Sequence, residues 1–148
     1  MPSGGKRARY YHLRVVNVRP WLTVQNCRVL LTGLARRGAD DKYQEIPFPV
    51  PFPFFWAGEE RSRPVELRTI SKELILDFGS LVEGESQFTP RLRGIPNNFD
   101  GYVKKGEAIR YELEIEASNF ASERPQAFEV AWDSEYPIVT EIKEDAVP

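Results

Sequence analysis

The chain has 148 residues, of which 41% are hydrophobic and 28% are charged, so we expect one folded domain. A net charge of −2 argues against nucleic-acid binding, although a short basic cluster, Lys6-Arg7-Ala8-Arg9, follows the N-terminus. The single cysteine excludes an intrachain disulfide. Because no apolar run approaches the roughly 20 residues of a membrane span, we expect a chain that is soluble as given, with a cytoplasmic location slightly favoured. The alternative is that it is the soluble part of a membrane-anchored chain.

Apolar and polar residues alternate along most of the chain, which predicts short antiparallel strands and almost no helix. In chain order, the predicted inward faces are Tyr11, Leu13 and Val15; Cys27, Val29 and Leu31; Leu74, Leu76 and Phe78; Ile109, Tyr111, Leu113, Ile115 and Ala117; and Phe128, Val130 and Trp132. Weaker strands are predicted at 64–68 and 88–92. We therefore predict an all-β fold, a single antiparallel β-sandwich of about 7–9 strands with immunoglobulin-like topology over residues 10–139, with loose tails at 1–9 and 140–148. A small barrel is the alternative.

The segment Ile46–Trp56, which we call the proline ladder, reads "IPFPVPFPFFW" and carries proline at 47, 49, 51 and 53. Backbone N–H groups point alternately to the two sides of a strand, so these prolines remove donors from one side only. This predicts an edge strand that pairs with one neighbour, with the alternate aromatic residues facing a core. An exposed interaction surface and a polyproline ligand are the alternatives. Whether Phe55 and Trp56 turn inward or outward stays open.

No catalytic constellation is visible, so we expect a protein that is not an enzyme and uses no cofactor or metal. The only histidine, His12, has the strand parity opposite to the inward face, whereas Cys27 lies among inward apolar residues and should be an inert thiol. Glycines such as Gly79 are interpreted as isolated turn glycines. A carboxylate glycosidase and a calcium site at the Asn/Asp-rich turn before 101 remain weaker readings.

Trp21 follows Arg19-Pro20 in a predicted turn and is the best candidate for an exposed aromatic. Together with Trp56 it could form a platform for sugar rings. The residues that we predict as a possible partner or ligand surface are Trp21, Phe55, Trp56, Asn97, Asn98 and Asp100.

The runs "YYHLRVVNVRPWLTVQNCRVLLTGL", "PFPFFWA", "ELILDFGSL", "PNNFDGYVKKGEAIRYELEIEASNF" and "QAFEVAWD" resemble a pattern in uncharacterised prokaryotic β-sandwich domains with an immunoglobulin-like fold. The resemblance covers about residues 10–133. It implies that Asn17 caps a turn, that Cys27 and Trp56 fill a core, and that the chain is a binding or accessory module, often part of a larger protein. It brings no catalytic residues.

The leading hypothesis is a non-catalytic interaction module that binds a protein partner, with carbohydrate as the alternative ligand and no direct membrane insertion. Loops at 36–44, 57–64 and 93–107 are its predicted working surfaces. A homo-oligomer is also possible, because no proline protects the other predicted sheet edges.

Overall fold

The computed structural model describes residues 7–18, 21–47, 51–58, 68–70, 72–95, 98–119 and 125–142. Within these residues the chain forms strands and no helix. The strands are β1 (Ala8–Val16), β2 (Val24–Arg37), β3 (Tyr43–Glu45), β4 (Phe52–Pro53), β5 (Phe55–Trp56), β6 (Arg68–Ile70), β7 (Glu73–Val82), β8 (Gln87–Pro90), β9 (Val103–Lys104), β10 (Ala108–Glu116), β11 (Gln126–Ala131) and β12 (Ile138–Ile142). The all-β prediction is confirmed, and the strands extend slightly beyond the predicted 10–139 at both ends.

Two antiparallel sheets pack against each other, as a β-sandwich requires. One sheet has the order β1-β7-β8-β9, with β5 also paired to β7; the other has the order β12-β11-β10-β2-β3, with β4 and β6 also paired to β2. There are more strands than predicted because three short strands, β3, β4 and β6, share one edge of the long β2. In immunoglobulin domains the first two strands pair within one sheet, whereas β1 and β2 belong to different sheets here. The finer prediction of immunoglobulin-like topology gains no support from this order.

The core lies between the sheets and consists of the faces that the period-2 pattern predicted. Its buried members include Cys27, Val29, Leu31, Leu76, Phe78, Ile109, Tyr111, Leu113, Val130 and Trp132. Phe78 is central, since its ring lies 5.5–6.1 Å from the rings of four other aromatic residues, Phe54, Phe88, Tyr111 and Phe128. Each such side chain contributes about 1.5–3 kcal/mol of transfer free energy on burial.

The proline ladder differs from the single edge strand that we predicted. Residues 48–50 lie outside the described residues, and the remainder crosses from one sheet to the other. Phe52 and Pro53 in β4 pair with β2, whereas Phe55 and Trp56 in β5 pair with β7. The ladder therefore connects the two sheets.

The physical reason is that proline lacks a hydrogen-bond donor but keeps its carbonyl acceptor. On one side, the N–H of Phe54 donates to the Val29 carbonyl at 2.9 Å, as the parity predicted. On the other side, the Pro53 carbonyl accepts from the N–H of Arg93, also at 2.9 Å. A second neighbouring segment can thus donate hydrogen bonds to the backbone carbonyl groups of a proline-bearing edge.

Candidate interaction site

The connection between β1 and β2 exposes a group of apolar side chains at one end of the sandwich. Val18 and Trp21 are 81% and 80% exposed, and Val16 and Leu22 are also exposed. We call these four residues the apolar end surface. The predicted exposure of Trp21 is confirmed, whereas the preceding Arg19-Pro20 lies outside the described residues.

Asn17 holds this connection in place. Its backbone N–H donates to the Lys72 carbonyl at 2.8 Å, and its side-chain Nδ2 donates to the Leu22 carbonyl at 2.6 Å. A second, longer contact joins Nδ2 to the Ile70 carbonyl at 3.4 Å. The expected role of Asn17 as a turn cap is confirmed, since its side chain bonds to the backbone at the far end of the connection.

Two adjoining clefts open beside the apolar end surface, with volumes of about 260 and 240 Å³. Both lie between the end of β1 and the strands β10 and β11. The residues common to the two linings are Val15, Val16, Val18, Ile115 and Gln126. Each cleft is smaller than the roughly 300–1,000 Å³ of a typical small-molecule site. Their size and apolar lining suit one or two inserted side chains.

Phe55 and Trp56, which we predicted as part of the surface, are buried instead. They are 4% and 2% exposed, respectively. Trp56 joins the core between the sheets, whereas Phe55 lies beneath two guanidinium groups, with Arg93 at 4.5 Å and Arg91 at 5.7 Å from the ring centroid. Cation–π contact and shielding by these long side chains explain why Phe55 is covered on the outer side of its sheet. Neither ring offers a face to a ligand.

In its described part, the Asn/Asp-rich turn makes contacts within the protein itself. Asn97 lies outside the described residues, and Asn98 is exposed with a φ of 64°. The carboxylate and carbonyl of Asp100 accept bonds from Arg36 Nη2 at 3.0 and 2.7 Å, and Arg36 Nη1 also lies 2.9 Å from Glu107. A cation at Asp100 would have to displace this guanidinium. Among the described residues, no group of three or more potential ligands could hold a metal ion.

His12 and a buried carboxylate meet on the outer face of the β1-containing sheet. The β1–β7 register places His12 opposite Asp77, whose side chain is 12% exposed. One Asp77 oxygen accepts from Arg91 Nε at 3.1 Å; the other lies 3.9 Å from His12 Nε2 and accepts no hydrogen bond from a described residue. Sequence reasoning missed Asp77, although its outward parity within "ELILDF" was a usable signal.

Cys27 lies in the core between the sheets. The side chain of His12 faces away from that core. Burial raises the pKa of its thiol to about 11. The predicted separation of His12 and Cys27 is confirmed, so these two residues do not form a nucleophile–base pair.

Compared with protein-family models, curated proteins and solved structures, the chain matches none. The resemblance to prokaryotic β-sandwich domains therefore stays a prediction. Within the described residues, no helix is long and apolar enough to cross a membrane.

Three members of the apolar end surface were missed from the sequence. Val16 has outward parity at the end of β1, while Val18 and Leu22 flank Trp21 in a turn. Bulky apolar residues at such positions were the available signal, because turns are usually built from polar residues and glycine.

Proposed function

We propose that this β-sandwich is a non-catalytic module that binds a protein partner through the apolar end surface. The observation that carries the proposal is that three of the four exposed apolar side chains, Val16, Val18 and Leu22, also line one or both of the two clefts, with Trp21 next to Leu22 in the chain. Single exposed apolar residues are ordinary on protein surfaces, whereas a continuous patch beside a cleft is typical of an interaction site.

The clefts indicate what kind of partner fits. The cleft nearer the turn is lined by apolar residues and by the amides of Asn17, Asn119 and Gln126, with no charged residue among them. A charged side chain entering it would lose its hydration without gaining a counter-ion. The partner should therefore insert an uncharged apolar side chain, with hydrogen-bonding groups at the rim, while Trp21 packs against its surface as an energetic hot spot.

The resemblance to prokaryotic β-sandwich domains of immunoglobulin-like type also favours an accessory role, often within a larger protein. A catalytic role has less support: the His12–Asp77 pair is 3.9 Å apart and has no thiol beside it, since Cys27 is in the core.

The test compares partner capture by the wild type, by Val18→Ser/Trp21→Ser, and by a matched control, Tyr136→Ser/Ile138→Ser. The control removes two exposed apolar side chains outside the apolar end surface. Any protein captured by the wild type is purified, and its affinity for each variant is measured by calorimetry. We expect the end-surface variant to lose at least tenfold in affinity and the control to be unchanged. Equal affinities would refute the assignment.

Carbohydrate binding needs a second exposed ring near Trp21, and Trp56 is buried. Titration with oligosaccharides, followed by tryptophan fluorescence, separates this alternative from protein binding. A saturable spectral shift that Trp21→Ser abolishes would favour carbohydrate over protein.

A further inference from the structure

β1 forms an edge that the described part of the chain leaves unpaired. Among the described residues β1 pairs with β7 alone, and it stands at the end of its sheet. Its nine residues include no proline, and its charged side chains are Arg9 and Arg14. The register shift in the β1–β7 pair, between Tyr11 and His12, skips Phe78 and so lies on β7, which leaves β1 without an extra residue. A long edge strand with no proline and no bulge of its own is open to pairing with another strand.

The direction of each β1 backbone group follows from two hydrogen bonds to β7 and its flanks. The Arg7 carbonyl accepts from the N–H of Glu83 at 2.7 Å, and the N–H of Asn17 donates to Lys72 at 2.8 Å. In an antiparallel pair the two groups of one residue point to the same side, and successive residues alternate. Odd-numbered residues of β1 thus face β7, and the N–H and C=O groups of Tyr10, His12 and Arg14 point away from the sheet.

The side chains along this edge complement a second copy of themselves. His12 is the midpoint of β1, so an antiparallel pair centred on His12 overlaps the strand over its full length. In that register Tyr10 of one copy faces Arg14 of the other, and the contact occurs twice. Arg14 binds Glu73 through Nε and Nη2 at 2.9 and 2.8 Å, which leaves the flat face of its guanidinium open for a tyrosine ring.

We propose that this protein forms a two-fold symmetric dimer in which β1 pairs with β1 of a second copy, centred on His12. The pairing makes roughly ten backbone hydrogen bonds, two for each outward-facing residue pair. It joins the two β1-containing sheets into one continuous sheet, as in other cases of strand addition. Pairing centred on Arg14 would instead place two guanidinium groups opposite each other, so charge selects the register.

A second copy fits this edge better than an unrelated peptide does. Tyr10 and Arg14 lie at equal distances on either side of His12, so a two-fold axis through His12 brings each tyrosine opposite an arginine. The β1 edge shares only Val16, the last residue of β1, with the apolar end surface, and Trp21 lies outside the edge. Substitution of Trp21 by serine should leave the dimer intact, so failure of one proposal is distinguishable from failure of the other.

The first experiment is disulfide cross-linking of His12→Cys under mild oxidation. Opposed residues in a hydrogen-bonded antiparallel pair have Cα atoms about 5.5 Å apart, which suits a disulfide. The matched control is Ala8→Cys, since the two copies of position 8 lie roughly 26 Å apart in this register and the Tyr10–Arg14 contacts stay in place. We expect a covalent dimer on non-reducing gels for the first variant and not for the second. Equal cross-linking of both variants would overturn the register.

The second experiment exchanges the contacting side chains and measures the dimer dissociation constant by sedimentation. Tyr10→Arg places like charges opposite each other twice, and should weaken the dimer at least tenfold. Tyr10→Arg/Arg14→Tyr restores both contacts and should recover affinity to within about threefold of the wild type. A wild type that keeps the 17.0 kDa mass of one chain at millimolar concentration would overturn the proposal. So would a dimer whose dissociation constant Tyr10→Arg leaves unchanged.

Discussion

Replacement of Gly79 by alanine should destabilise this protein substantially, although Gly79 lies within a strand and has no left-handed backbone conformation to explain it. An alanine Cβ at this position would lie 2.1 Å from Cζ and 2.6 Å from Cε2 of Phe88. Phe88 is fully buried and cannot move freely, because its ring packs against Tyr11, Phe78 and Tyr111 at 5.5, 5.8 and 6.2 Å between centroids.

Two effects oppose each other. Alanine is preferred over glycine in a strand by roughly 0.5–1 kcal/mol, whereas an overpacked core costs about 1–3 kcal/mol. Because the overlap is more than 1 Å inside ordinary contact and involves a ring held on several sides, we take the upper part of that range. The net expectation is a loss of about 2 kcal/mol, or roughly 6 °C in melting temperature for a chain of this length.

The assay is urea unfolding of Gly79→Ala, Phe88→Leu and the double variant, followed by tryptophan fluorescence. Leucine removes the ring atoms that alanine would contact, at its own cost of about 1–2 kcal/mol. The double variant should then be more stable than the sum of the single losses by about 1–2 kcal/mol. Additive losses, or a Gly79→Ala variant within about 0.5 kcal/mol of the wild type, would refute the steric explanation.

Three further predictions follow from buried or paired groups. Tyr111→Phe should cost about 1–3 kcal/mol in urea unfolding, because its buried hydroxyl donates to the Gly101 carbonyl, which would lose its partner. The Cys27 thiol, with its pKa raised to about 11 by burial, should react with a disulfide reagent at pH 8 only after unfolding; prompt reaction of the native protein would contradict its placement. Arg37 lowers the pKa of Asp133 through hydrogen bonding, so this pair stabilises the fold above the ordinary Asp pKa of about 3.9 and loses that effect as pH falls below it. Arg37→Gln should therefore flatten this part of the acid-unfolding curve, measured by circular dichroism.

The strands were predictable because each has one face in the core, and a period of two residues records that directly. Gly79 was not predictable. The sequence offers an isolated glycine that suits a turn, and the reason it lies within β7 is the ring of Phe88, nine positions later on another strand. When a glycine is required by close packing against another strand, the residues around it in the sequence carry no pattern that reveals the contact.

The proline ladder shows the same division between local and distant causes. Side-chain parity correctly placed Phe54 and Trp56 in the core, and it correctly directed the N–H of Phe54 to a neighbour. The passage from one sheet to the other depends on which distant strands supply partners. Likewise, Phe55 is buried because Arg91 and Arg93 cover it, and no feature near Phe55 in the sequence indicates those residues.

The candidate site was predictable only at Trp21, since a tryptophan in a turn has few neighbours to cover it. The clefts beside it form between β1, β10 and β11, which are far apart in the chain. Their existence depends on the way the sheets meet, so sequence periodicity alone did not predict them.

The two lateral sides of the sandwich differ in a way that suggests a final prediction. On one side the β2 edge is covered by three short strands, and the proline ladder crosses between the sheets. On the other side the Tyr11 hydroxyl donates to Pro137 at 2.7 Å, which places the open β1 edge beside the loop that leads to β12. Proline at the centre of this edge should weaken the dimer. His12→Pro removes an N–H that points away from β7, which deletes the two central hydrogen bonds of the β1–β1 pair, so the fold should survive while dimerisation is weakened.

Leu13→Pro is the matched control, because its N–H points toward β7 and its loss should disrupt the sheet. Sedimentation reports the association state, and circular dichroism reports the fold. If His12→Pro unfolds the protein as severely as Leu13→Pro, the assignment of backbone direction along β1 is wrong. If it folds and still dimerises with wild-type affinity, β1 is not the dimer edge. The contrast between adjacent positions thus tests the alternation of hydrogen-bonding groups that leaves the β1 edge free to pair.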